Sequence, residues 1–341
     1  MLRCGLIILI TIILFGCQKR KEAADFPDTK PNKDDISFND SLLVEYSQFK
    51  IGDIRRYGIF PNQPIIQEKL KRILKLAQNG FKIKFPKGVY NTNLVIEGLK
   101  DISIICDDVV ITGVLQITDL NNNRSSNISI NGSITILDKV FIRKSSNIVF
   151  DTLVVKTDTL QNRYHKMNRG VSIYTGSKNI KIKTLKIFDT GGSKDDYYKY
   201  SAAAFQVHGW NNNPEFITID NLMVENAQRT AVYLTGNGHE IKKAIIENYA
   251  VNGDNANMFG LEDAKPGSEK DFAGVWLNKC NNCEIDSLEI SNNYQKPYSL
   301  KFGIGIYSEP AVINYLSLKR EAKFAPIEDD LLTNVLVKHE Y

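Results

Sequence analysis

Ile148-Val149-Phe150-Asp151-Thr152-Leu153-Val154-Val155-Lys156-Thr157 places apolar side chains at 148, 150, 153 and 155 and closes on a polar residue. Two short alternating strands joined by a two-residue corner fit this pattern, and a helical period does not. The corner shifts the alternation by one, so both strands keep their apolar residues on one side. The pattern recurs as Ile180, Ile182, Leu185, Ile187, Asp189, then as Ile217, Ile219, Leu222, Val224, Asn226, and again as Cys283, Ile285, Leu288, Ile290, Asn292. Shorter copies run Ile241, Ala244, Ile246, Asn248 and Ile313, Leu316, Leu318.

With the second apolar position as marker, the copies fall at 130, 150, 182, 219, 241, 285 and 313, which are 20, 32, 37, 22, 44 and 28 residues apart. The short spacings suit a minimal coil and the long ones the same coil with a loop inserted, so the period predicts a β-solenoid. Asn and Asp at the corners suit left-handed backbone geometry. A sandwich would need tight Asn-Gly or Asp-Gly hairpin turns, and those are scarce. The expected fold is all-β: a single-stranded right-handed parallel β-helix with an N-terminal capping α-helix. The cap is read at residues 64–78, where Ile65, Ile66, Leu70, Ile73, Leu74 and Ala77 share a helical face and Asn79-Gly80 stops the helix. Residues 331–337 are read as a last strand or cover.

The run Gly80-Phe81-Lys82-Ile83-Lys84-Phe85-Pro86-Lys87-Gly88-Val89-Tyr90, after a helix preceded by Tyr57-Gly58, resembles the opening of the pectate-lyase-like superfamily of right-handed β-helices. With the coils, the likeness covers roughly residues 50–320. It implies a carbohydrate-active scaffold; the superfamily holds lyases, hydrolases, epimerases, esterases and adhesins, so activity must be argued from a site.

The N-terminus reads as an export signal. Arg3 precedes an apolar run over residues 6–15 that ends in Leu14-Phe15-Gly16-Cys17, which resembles the bacterial lipobox. Residues 1–16 are expected to be a signal peptide, Cys17 the lipidated residue, 17–48 a polar tether and 49–341 the β-helix domain of an outer-membrane lipoprotein. Contact with the membrane would be through the lipid alone. Of the remaining cysteines, Cys280 and Cys283 suit a local disulfide or a pair of turn thiols, and no neighbouring His set in the sequence completes a metal site. The net charge of +4 favours an anionic partner only mildly, and no basic stripe with interleaved aromatics marks a nucleic-acid binder. A monomer is expected.

Loops over residues 158–168, 190–203, 253–272 and 293–301 leave the coil at one place and would wall a groove. The strands that follow them give two outward columns: Ser172, Gln206, Tyr233, Trp276, Gly305 and Tyr174, His208, Thr235, Asn278, Tyr307. Tyr174, Gln206, Trp276, Asn278 and Tyr307, with Tyr200 and His165 from the loops, are candidate sugar-binding residues. A uronate lyase must neutralise a carboxylate, take the C5 proton and protonate the leaving oxygen; His208, Arg229, Lys199 and Tyr233 could fill those roles. A glycosidase needs two carboxylates, for which Asp195, Asp196, Glu262, Asp263 and Asp271 are available. Asp195-Asp196 followed by His208-Gly209 partly resembles the polygalacturonase set, but a clear Asn-x-Asp is lacking and no Arg-x-Lys stands at the expected later strand. Oxygen donors in Gly253-Asp254-Asn255-Ala256-Asn257 make calcium a candidate cofactor, though without EF-hand spacing. His239-Glu240 lacks the second His of a zincin helix, and no nucleotide loop or nucleophile elbow occurs. The expected activity is elimination on an acidic polysaccharide or oligosaccharide, with hydrolysis or non-catalytic glycan binding as alternatives.

Overall fold

The computed structural model describes residues 40–157, 168–191, 203–209, 211–251, 272–293, 298–302, 310–319 and 335–340. Every marker spacing is one turn of the chain. Ile130 pairs with Phe150, Phe150 with Ile182, Ile182 with Ile219, Ile219 with Ile241, Ile241 with Ile285 and Ile285 with Ile313, all in parallel register. The fold is the all-β parallel β-helix that this spacing predicts.

Three parallel sheets line the coil. Strands β1 (Lys82–Phe85) and β2 (Gly88–Tyr90) pair with the two halves of β4 (Lys100–Ile111), which bends at a corner. The same bent strand recurs as β6 (Ser126–Ile136), β8 (Ser146–Lys156), β10 (Lys178–Phe188), β12 (Glu215–Ala227), β14 (Glu240–Tyr249), β16 (Glu284–Ser291) and β18 (Ala311–Lys319). Their first and second halves build the first two sheets. The third sheet stacks β3 (Leu94–Glu97), β5 (Leu115–Thr118), β7 (Val140–Arg143), β9 (Val171–Tyr174), β11 (Ala203–His208), β13 (Thr230–Asn237), β15 (Ala273–Asn281) and β17 (Tyr298–Phe302). Inward residues such as Ile148, Leu153, Ile173 and Phe205 meet in one buried core. The last strand, β19 (Val335–Glu340), pairs with β18, so the C-terminal segment adds a strand.

The corner before the first sheet is left-handed in coil after coil. Asp101, Asn127, Asn147, Asn179, Phe216, Gly238 and Asn282 have φ of 58, 55, 56, 54, 56, 66 and 50°. Asn pays little for this geometry and its amide can bond to the coil below. The amides of Asn127, Asn147 and Asn179 donate in sequence to Asp101, Asn127 and Asn147 at 2.9, 3.0 and 3.1 Å. A second ladder, Asp189–Asn226–Asn248, follows the second sheet.

Helix α1 (Gln67–Leu76) closes the N-terminal end, burying Leu70, Ile73 and Leu74, and a short 3-10 turn ends on Gly80 at φ 88°. The helix starts later than the Pro64 reading, so Ile66 is its N-cap and stands 70% exposed instead of joining the apolar face. Residues 40–48, which composition assigns to the tether, lie against the domain: Asp40 pairs with Arg56 at 2.6 Å, and Leu43 and Val44 pack on the core. Residues 1–16, expected to be a signal peptide, and Cys17 lie outside the described residues. Among the described residues no helix is long and apolar enough to cross a membrane.

Candidate functional site

The outer face of the third sheet carries the predicted columns. Strand pairing sets Ser172, Gln206, Tyr233 and Trp276 opposite one another, and Tyr174 opposite His208. One assignment changes at the far end. β17 puts Lys301, not Gly305, opposite Trp276. One column also begins a coil earlier, because Phe141 of β7 pairs with Ser172. The alternation Val140-Phe141-Ile142-Arg143 carried that signal in the sequence.

These residues form a ladder of rings along the stack. Phe141 meets Tyr174 at 5.6 Å between centroids, Tyr174 meets His208 at 5.8 Å, His208 meets Tyr233 at 5.6 Å and Tyr233 meets Trp276 at 5.0 Å. The last three contacts are edge-to-face, the arrangement that ring quadrupoles favour. Amides tie the hydroxyls down: Asn278 Nδ2 donates to Tyr233 Oη at 2.6 Å, and Gln206 Nε2 to Tyr174 Oη at 3.3 Å. Gln206 is only 4% exposed and its Oε1 has no hydrogen-bond partner among the described residues. Ser172 and Tyr233 are also buried, so the middle of this outward column is closed, whereas Phe141, Tyr174, His208, Trp276 and Asn278 stay partly exposed.

Thr235 is buried where its column is expected to face outward. The β13–β15 register shifts between Leu234 and Gly236, and the Thr235 hydroxyl lies 3.3 Å from Val207 O and 3.1 Å from Asn213 Oδ1. The extra residue lies on β15, where Asn278 and Lys279 stand against Thr235 alone, and the Thr235 side chain is buried.

Beside the start of β11, Arg169, Thr190, Gly191, Ala203, Ala204, Gln228 and Arg229 line a small hollow. Arg169 forks onto Asp138, with Nε 2.8 Å and Nη2 3.0 Å from the two carboxylate oxygens. Lys139 stands over the Phe141 ring at 5.1 Å. Burial, reinforced by Arg169, pulls its ammonium down to about 8. Burial also lowers His208 and Arg229 and raises Tyr174. His208 is therefore a neutral imidazole at neutral pH and Tyr174 a protonated phenol: a potential proton acceptor beside a potential donor.

Lys199, Asp195, Asp196, Tyr200, His165 and Tyr307 lie outside the described residues, as do the carboxylates Glu262, Asp263 and Asp271 and the calcium candidates at 253–257. Sequence reading named neither Lys139 nor Phe141. It also missed what the fold sets beside the Cys pair: His239, Cys280 and Cys283 bring their donor atoms within 4.8 Å of one another. They do not fit a metal as arranged. The sulfurs are joined in a disulfide, His239 Nδ1 accepts from Ile217 N–H at 3.2 Å, and Nε2 faces Thr235 O at 2.9 Å. No known protein family, curated protein or solved structure matches the chain.

Proposed function

We propose that this chain is an exported carbohydrate-active lipoprotein that holds an acidic polysaccharide against the third sheet and cleaves it by β-elimination. The ring ladder from Phe141 to Trp276 carries this reading, because ring faces stack on the apolar faces of sugars while buried amides give directional bonds. His208 accepts the C5 proton, the C4–O bond breaks as the C4–C5 double bond forms, and a tyrosine hydroxyl, Tyr174 or Tyr233, protonates the leaving oxygen. Arg229, at the hollow beside the cleft, offsets charge building on the uronate carboxylate. Hydrolysis is less well supported, since Asp138, the carboxylate paired with Arg169 of the hollow, has both oxygens engaged by that guanidinium.

The mature domain should be incubated with a panel of uronic-acid polymers while the ultraviolet absorbance of unsaturated sugar ends is followed. Growth of that absorbance, abolished by His208→Ala, is the expected result. New reducing ends without absorbance would make the protein a hydrolase, and binding with neither product would make it a non-catalytic glycan receptor. The anchor has its own test: a fatty-acid label should enter the chain in a bacterial host and be lost in Cys17→Ser.

A further inference from the structure

The Phe141 end of the ladder has a charge arrangement that the elimination reading leaves unused. The half-buried Lys139 ammonium sits over the Phe141 ring, and among the described residues its side chain has no hydrogen bond or ion pair. The adjacent carboxylate, Asp138, already has both oxygens on Arg169. Among the described residues the charged groups acting on Lys139 are thus one cation, Arg169, and one carboxylate, Asp138. One coil on, Val171 pairs with Val140, which sets Gly170 beside Lys139. Gly170, at φ 65°, is a glycine because a Cβ there would run into Ala204 O.

We infer that Lys139 selects for an acidic sugar, its ammonium meeting the carboxylate of the unit that stacks on Phe141. A cation over a ring face, partly stripped of water, gains more from an arriving anion than an exposed lysine does. The ring fixes the sugar plane and the ammonium fixes which edge carries the charge. This subsite rests on the glycan-cleft reading and adds a specificity residue at one end of it.

A bound carboxylate favours the charged form of Lys139, so binding and protonation are linked. Affinity for an acidic chain stays level while Lys139 is charged and falls as pH rises past about 8, by up to about tenfold per pH unit. A neutral chain shows no such fall.

Calorimetric titration of the whole domain with oligogalacturonate, oligomannuronate and hyaluronan oligosaccharides, each beside its carboxyl-reduced form, tests this. In Lys139→Gln the acid form that wild type binds should weaken by about tenfold or more, the reduced form should be unchanged, and the decline at high pH should vanish. Lys139→Arg should keep acid binding and lose the decline. Equal weakening toward both forms, or none, overturns the subsite and leaves the cleft reading standing. Failure of wild type to bind any of these chains overturns both. A melting curve of Lys139→Gln coincident with wild type guards against a folding defect.

Discussion

His239 shows what a single residue can owe to the fold and not to its neighbours in sequence. It lies 2% exposed, accepts a backbone N–H from Ile217 on one nitrogen and bonds Thr235 O through the other. That arrangement requires a neutral ring, and burial lowers its pKa to about 4 from an ordinary 6.5. The unfolded chain takes up the proton first as pH falls. The His239 contribution is therefore fully present above the ordinary value and is lost between there and the folded value. Between pH ~7 and ~4 wild type should lose about 3 kcal/mol more stability than His239→Gln, read from denaturant unfolding at each pH. Parallel slopes in the two proteins would remove His239 as the cause. Nothing near His239 in the sequence announces this role. It stands over Cys283 because β14 and β16 pair through Glu240 and Glu284, 44 residues apart. Lys139 was hidden for the same reason: its position depends on Phe141 beside it and Arg169 in the next coil.

At the scale of the element, the left-handed corner is where local chemistry and repeat meet. Asn147 sits inside a ladder, donating to Asn127 and accepting from Asn179. Asn147→Ala forfeits both bonds and puts a Cβ residue with no polar compensation at φ 56°. The expected loss is about 2 kcal/mol by denaturant unfolding. Phe216 occupies the equivalent corner, since its neighbours Glu215 and Ile217 pair with Lys178 and Ile180 on either side of Asn179. It holds φ 56° with a 47% exposed aromatic side chain, a conformation bulky residues avoid. Phe216→Asn should stabilise the domain by about 1 kcal/mol, relieving that strain and extending the ladder; a lower midpoint would show that the Phe216 ring over Gly238 matters more than the backbone. The corners after the second sheet, Asp189, Asn226 and Asn248, were legible because residue type and period coincide, whereas Asn127, Asn147 and Asn179 precede the repeated apolar pattern and were not. The β15 bulge opposite Thr235 was not, because a register shift leaves the apolar pattern of one strand unaltered and shows only against its partner.

Over the whole molecule, a solenoid is a stack of nearest-neighbour contacts, so sequence reading succeeds where each coil repeats and fails where the stack stops. Register, core and the order of the ring columns follow from Ile130 through Ile313 because every coil repeats the rule. The ends have no such rule. At the N-terminus the first coil would expose both apolar core and the free edge of β1, and two devices cover them. Gly52-Asp53 lies along that edge, with Asp53 bridged to Lys84 and Lys84 N–H donating to Gly52 O at 2.8 Å. Helix α1 places Leu70, Ile73 and Leu74 into the core with no exposure. If that closure is what keeps the stack from growing onto a second copy, breaking it should change association before it changes the coils. Leu74→Asp buries a carboxylate with nothing to pair it, and the helix should undock to solvate it. Size-exclusion chromatography with light scattering should then show concentration-dependent oligomers, while far-ultraviolet circular dichroism keeps its β signal. Lys75→Asp, one residue along on the exposed side of the same helix, should stay monomeric. A monomeric Leu74→Asp of full β content would mean that Gly52-Asp53 guards the edge without help from the helix.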